Sequence, residues 1–264
     1  MRTLLISAAL LSACGEKTPP TVAADPEAAP AEDALPEPLA LLQGYEAALA
    51  NGDLARAEAV TSTYTAMKME MPSQGITAPI ESWWAAPDKT LIRMTLEGLG
   101  ESVQGYDGEV GWSVDPMMGP RVMSEAEVAQ QALLRQLTED PSVVAGMAEV
   151  TGREDFEGMD TWAMTVEPPD GAAPLHLWFD VESGLLMGMV NKVETPMGAM
   201  ETRTVNAAYT EYDGLLVPSR IVQTALGMEQ VLTVESVTWN PETLPDFGPP
   251  EAVQALLDEA AGGN

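Results

Sequence analysis

Hydrophobic and polar residues alternate along most of the chain from Thr61 to Trp239. Thr63, Thr65, Met67, Met69 and Met71 fall on one side of an extended backbone, and Tyr64, Ala66, Lys68 and Glu70 on the other. A period of two marks strands with one buried face. The pattern runs on through residues 80–85, 89–96, 99–106 and 109–114. It resumes through 148–155, 161–167, 175–181, 185–194, 200–212, 216–225 and 228–239. Turn pairs separate the runs, among them Pro87-Asp88, Asp107-Gly108, Glu157-Gly158, Met197-Gly198, Asp213-Gly214 and Leu226-Gly227. Asp-Gly between alternating runs is a strong hairpin signal, because both central positions need φ > 0. Connections this short predict an antiparallel meander, since parallel neighbours need long crossovers. Residues 72–79 read as a loop. So does the stretch around Met117 and Met118, bounded by Asp115-Pro116 and Gly119-Pro120.

Three stretches change to a helical period. Leu39, Leu42, Tyr45 and Leu49 form one stripe, interrupted at Asn51-Gly52-Asp53, where Asp53 can cap a second short turn. Ser124 precedes Glu127 by three positions, a capping-box pattern, and Val128, Ala132, Leu133 and Leu137 continue as an apolar stripe up to Pro141. Residues 251–261 read as a terminal helix. The expected fold is α+β: a single curved antiparallel half-barrel of about 11–12 strands with helices over its concave face. A sheet of that many twisted strands must curl.

Charge narrows the partners. The 41 acidic residues outnumber the 12 basic ones, giving a net charge of −29. Nucleic acid is excluded as a partner, because phosphate neutralisation needs clustered Lys and Arg. Adsorption to an anionic membrane through charge is excluded on the same ground.

The single cysteine, Cys14, closes a short N-terminal pattern. Arg2 supplies a positive charge, the run from Leu4 to Ala13 is apolar but too short to span a bilayer, and Leu11-Ser12-Ala13-Cys14-Gly15 resembles a bacterial lipobox. Residues 1–13 then read as a signal peptide and Cys14 as the lipidated first residue, anchoring the protein to a membrane. Gly15 rather than Asp after the cysteine resembles the enterobacterial signal for the outer membrane, so the expected location is the outer membrane, facing the periplasm. Residues 14–38, rich in Pro, Ala and acids, read as a disordered tether. Residues 39–261 form one domain.

Several motifs in order resemble one family. They are Tyr106-Asp107-Gly108 with Trp112 and Pro116; Gly119-Pro120-Arg121; Phe179-Asp180 with Ser183-Gly184-Leu185; Glu194 to Gly198; and Tyr209 with Asp213-Gly214 and Pro218. Together with the helix–meander–helix–meander order, they resemble the LolA/LolB-like superfamily, and more closely the envelope proteins called outer-membrane lipoprotein-sorting proteins. The resemblance spans roughly residues 40–250. It implies a half-barrel with helices lidding a hydrophobic cavity, and no catalytic residue.

The alternating faces nominate a cavity lining: Met67, Met69, Met71, Met94, Leu96, Trp112, Val114, Trp162, Met164, Leu177, Phe179, Met187 and Met189. Flexible thioethers adapt to irregular acyl chains. The same side chains could equally pack under the helices and leave no cavity, since alternation reports which face is buried and not by what. The Met117-Met118 loop is the candidate apolar tip: the resemblance implies contact with lipid or an acyl chain, while the simpler expectation tucks both methionines under the next helix. The Met-x-Met-x-Met spacing also suits a thioether copper site, but a strand produces it without metal, and no His or Cys supports it. His176 shares a face with Trp178 and Asp180 and is expected in solvent. No nucleophile elbow, zinc spacing, P-loop or dinucleotide fingerprint occurs. The expectation is therefore a non-catalytic envelope lipoprotein without cofactor or metal that binds an acyl chain, lipid or lipoprotein. The alternative is an envelope scaffold with a self-filled core.

Overall fold

A computed structural model describes residues 34–169, 173–195 and 198–262. The lipobox with Cys14, most of the tether, and Met197 of the Met197-Gly198 turn lie outside the described residues. The chain opens with helices α1 (Pro38–Leu49) and α2 (Leu54–Glu58). Leu41, Leu42, Tyr45 and Leu49 give α1 its buried stripe. The Asp53 carboxylate caps α2, accepting from the Arg56 N–H at 3.0 Å. Then come β1 (Ser62–Met71), β2 (Ile76–Ala85), β3 (Lys89–Leu96), β4 (Gly100–Tyr106), β5 (Gly111–Asp115) and β6 (Gly119–Val122). Helices α3 (Glu125–Glu139) and α4 (Pro141–Ala145) interrupt the strands. The second run is β7 (Ala148–Phe156), β8 (Met159–Val166), β9 (Leu175–Asp180), β10 (Leu186–Thr195), β11 (Gly198–Tyr212), β12 (Leu215–Ala225) and β13 (Met228–Trp239), followed by α5 (Glu251–Gly262).

The strands form one 13-stranded open sheet in the order β6-β5-β4-β3-β2-β1-β13-β12-β11-β10-β9-β8-β7. Every pairing is antiparallel. Two segments expected as loop belong to this sheet. β2 starts at Ile76 and runs through Pro79, and residues 119–122 form edge strand β6. Pro79 is tolerated because β3 pairs with β2 only from Ile80 onward, so the residue lacking an N–H has a neighbour on one side only.

The sheet is strongly curved, and α3 shows it. A Cβ placed on Gly111 of β5 would come within 2.7 Å of Val128 on α3, and the Arg135 guanidinium of α3 lies 5.4 Å from the Tyr106 ring of β4. Two residues on from Val128, the Gln130 amide donates to the Lys192 carbonyl of β10. Eight strand spacings separate β5 from β10 in the sheet order, roughly 38 Å along a flat sheet. Val128 and Gln130 are only about 3 Å apart in helix rise. The two wings must therefore bend toward each other, as in a half-barrel.

Register divides the sheet into two faces. The inner face, on the side of α1, α3 and α4, carries Met67, Met69 and Met71 of β1, paired outward through Ile80–Met94 on one wing and Leu232–Ile221 on the other. At the β7–β10 end, Leu42, Tyr45, Leu49, Leu134, Leu137 and Val144 of the helices pack on Val150, Met164, Val166, Leu175, Leu177, Phe179, Leu186 and Met189. The Tyr45 and Phe179 rings meet edge to face at 5.6 Å. The outer face of the opposite wing is covered differently. Trp83, Leu91, Val103, Trp112 and Val114 pack under Phe247 and Val253 of the C-terminal segment.

Candidate functional site

The inner face between the wings is the candidate site. Met67, Met69, Met71, Ala78, Ile80, Leu96, Ile221, Leu232 and Val234 are buried there, with Ile92 and Met94 at their margin. No helix residue belongs to this group among the described residues. The predicted lining residues Met67, Met69, Met71, Met94 and Leu96 thus come together on strands alone.

The remaining lining residues divide. Met164, Leu177, Phe179 and Met189 do face inward, but they lie in the packed core beneath α1, α3 and α4. Trp162 stands half-buried at the edge of that core, with the Arg153 guanidinium 5.6 Å from its ring. Met187 falls outside the core. A β-bulge between Leu186 and Gly188 moves the alternation by one residue, so Leu186 and Met189 are buried and Met187 is not. Gly188 leaves room for the Phe156 ring, which a Cβ would meet at 2.3 Å. Trp112 and Val114 are corrected outright: both lie on the outer face, and the Trp112 indole donates to the Phe247 carbonyl at 3.0 Å. On β3, Leu91 and Ile92 belong to opposite clusters. Both faces of that wing are apolar, so period alone did not say which one Trp112 joins.

A polar row crosses the inner face, which the apolar pattern did not reveal. Asn191 pairs with Thr202, and Thr204, Gln223 and Gln230 lie opposite one another on β11, β12 and β13. All are buried, as is Asn206. Asn206 is satisfied, donating to the Leu186 carbonyl at 2.8 Å and the Tyr209 hydroxyl at 3.2 Å, while Tyr209 donates to the same carbonyl at 2.6 Å. Burial raises the phenols of Tyr45 and Tyr209 above their usual range, so both stay protonated. In contrast to Asn206, Thr63 Oγ1, Thr65 Oγ1, Thr202 Oγ1 and Gln223 Oε1 are buried without a hydrogen-bond partner, as is the Tyr45 hydroxyl. The buried polar residues are Ser, Thr, Asn and Gln, with no charged side chain among those described.

Met117 and Met118 are not tucked under a helix. They are 68% and 59% exposed, in a turn held by the Asp115 carboxylate, which accepts from both their N–H groups at 2.8 and 3.0 Å. Leu99 and Leu226, at 55% and 61% exposed, occupy the β3–β4 and β12–β13 turns. These turns share one rim: Gly100 approaches Pro116, and the Gln74 amide reaches the Met228 sulfur at 3.3 Å. Leu226 has φ 51°, a left-handed conformation that a leucine rarely adopts. The opposite rim carries Asp88, Asp107 and Asp213 in its turns.

Arg121 and Glu127 anchor the start of α3. The guanidinium donates to both carboxylate oxygens, at 3.0 and 2.8 Å, and Glu127 also accepts from the Ser124 N–H to complete the expected capping box. Burial pushes the Glu127 carboxyl up, but the bonds from Arg121 and Ser124 outweigh it and hold it below its ordinary range. His176 is exposed as expected and contacts the Thr165 hydroxyl at 3.1 Å, while Asp180 accepts from Ser183 in the following turn. Among the described residues, no group of three or more His, Cys, Asp or Glu could hold a metal. No helix among them is long and apolar enough to cross a membrane.

No protein-family model and no curated protein matches the chain. Solved structures do match it in fold. A LolA superfamily protein from Nitrosomonas europaea aligns with a TM-score of 0.52 at 12% identity, over 80% of this chain and 97% of that one. An outer membrane lipoprotein-sorting protein domain, so described, from Vibrio parahaemolyticus gives 0.52 at 13%, over 78% and 93%. A DUF1329 family protein from Desulfovibrio piger gives 0.51 at 11%, over 79% and 96%. The curved open sheet and these alignments give the chain a LolA-like fold.

Proposed function

We propose that this is a non-catalytic, lipid-anchored protein of the bacterial envelope that holds an acyl chain, as part of a lipid or lipoprotein, on its inner face. The observation that carries the reading is the strand-only methionine cluster, Met67, Met69, Met71 and Met94, lying between two wings that α3 ties together. Unbranched thioethers conform to a chain without fixed shape. The structural neighbour described as lipoprotein-sorting supports the same class of ligand. The lipobox supports anchoring through Cys14 and an outer-membrane location facing the periplasm. Met117, Met118, Leu99 and Leu226 make a rim that meets the bilayer, while the acidic rim faces away.

Native mass spectrometry of the full-length protein, released from its host membrane, tests this. A bound species with the mass of an acylated lipid, displaced by an added long-chain acyl probe, is the expected result. Protein that carries nothing and takes up no probe contradicts it. That outcome would favour the second reading, an envelope scaffold with a self-filled core, for which the near-complete burial of Met67, Met69 and Met71 speaks.

A further inference from the structure

The polar row suits a particular chemistry of ligand. Thr204, Gln223 and Gln230 stand side by side across three strands, with Thr202 and Asn191 in the adjacent row. Met189 adjoins the row on one side, and Ile221 and Leu232 of the strand-only cluster lie one step along the strands. Polar side chains in the interior are normally bonded to protein. Asn206 obeys that rule, yet Thr202 Oγ1 and Gln223 Oε1 have no protein partner and are shut off from solvent. A hydroxyl can donate or accept, and a primary amide does both. The row can therefore give hydrogen bonds to carbonyl oxygens and accept one from a hydroxyl. No buried cation is present among the described residues to balance an anion, so a carboxylate or phosphate placed there would be desolvated without a counter-charge.

We propose that Thr202, Thr204, Gln223 and Gln230 form a subsite for the neutral ester and hydroxyl groups of an acylglycerol, with an acyl chain running onto Met67, Met69 and Met71. This rests on the acyl-binding reading above and adds the ligand class. The ligand is an uncharged acyl ester, not a free fatty acid.

Photo-crosslinking to the full-length protein anchored in phosphatidylcholine vesicles tests it. Three diazirine probes of equal chain length are compared at neutral pH: a diacylglycerol, a fatty acid and an alkane. The readout is labelling of the β1 methionines. The wild type should label most strongly with the diacylglycerol. The double variant Thr202→Val, Gln223→Met should lose about tenfold of that labelling, roughly one hydrogen bond's worth of affinity, and keep its labelling by the alkane. Retained alkane labelling shows that the variant is folded with its interior open to chains. Equal diacylglycerol labelling of both proteins, or a preference for the fatty acid, overturns the subsite while leaving acyl binding standing. Absence of interior labelling by any probe in the wild type overturns both.

Discussion

Gly105 lies beneath Trp112, and a Cβ there would stand 2.5 Å from the indole ring. Gly105→Ala should therefore push Trp112 off the outer face and cost about 1–3 kcal/mol, read as a lower melting temperature with red-shifted tryptophan emission. An unchanged spectrum would contradict the outer-face placement of Trp112. The buried polar residues separate by whether they are bonded. Thr202→Val removes a hydroxyl with no partner, so stability should hold or rise by about 1 kcal/mol. Asn206→Leu removes a donor to the Leu186 carbonyl and should cost about 1–3 kcal/mol. Thermal unfolding of the two variants separates them. Glu127 supplies one part of the pH dependence. Its carboxyl titrates below the ordinary 4.5 in the folded protein, so its stabilisation is complete above that value and fades as pH falls through the lowered one. In Arg121→Met that acid-side loss should shrink. A stability–pH profile compared with wild type checks it. The capping box was legible in the spacing of Ser124 and Glu127. The polar row was not, because a search for alternating apolar residues passes over Thr202, Gln223 and Gln230, and only the register aligns them across three strands.

The β5–β6 turn and α3 show how far local pattern reaches. Asp213-Gly214 makes the expected two-residue turn, with φ 48° and 85°. Asp107-Gly108 instead opens a four-residue loop, 107–110, in which only Gly108 has positive φ and the Asp107 carboxylate accepts from the Glu109 and Val110 N–H groups. Gly119-Pro120 closes the loop in the sequence pattern and so masks a four-residue edge strand. The exposure of Met117 and Met118 was not legible either, since it comes with a tight turn in which the Asp115 carboxylate accepts from both their N–H groups. The rim now carries a prediction. Cys14 is the sole cysteine and is read as acylated, so Met118→Cys supplies the free thiol for a nitroxide label. In the vesicle-anchored full chain, the label at position 118 should be shielded from a water-soluble relaxing agent. A label placed by Asp213→Cys on the opposite rim should stay accessible. Equal accessibility would contradict a bilayer-facing rim. Stability should not change in either variant by more than about 0.5 kcal/mol, as expected for exposed turns.

Short turns placed the hairpin neighbours within each run of strands, but carried neither the β1–β13 pairing that joins the runs nor the curvature. The curvature arises because β6 and β7, at opposite ends of the sheet, are joined by α3 and α4, and because α3 touches β4, β5 and β10 at once. Those contacts separate helix-packed core at the β7–β10 end from strand-only methionines at β1–β3, a distinction no alternation pattern carries. Whether that second region accepts an acyl chain is the central question, and methionine-methyl NMR of the full-length protein in a lipid nanodisc answers it most directly. Among the methionine methyls, those of Met67, Met69, Met71 and Met94 should shift as a diacylglycerol is added, while Met164, beneath the helices, stays fixed. Titration that moves only Met117 and Met118 and leaves the β1 methyls unchanged would contradict an acyl-binding interior.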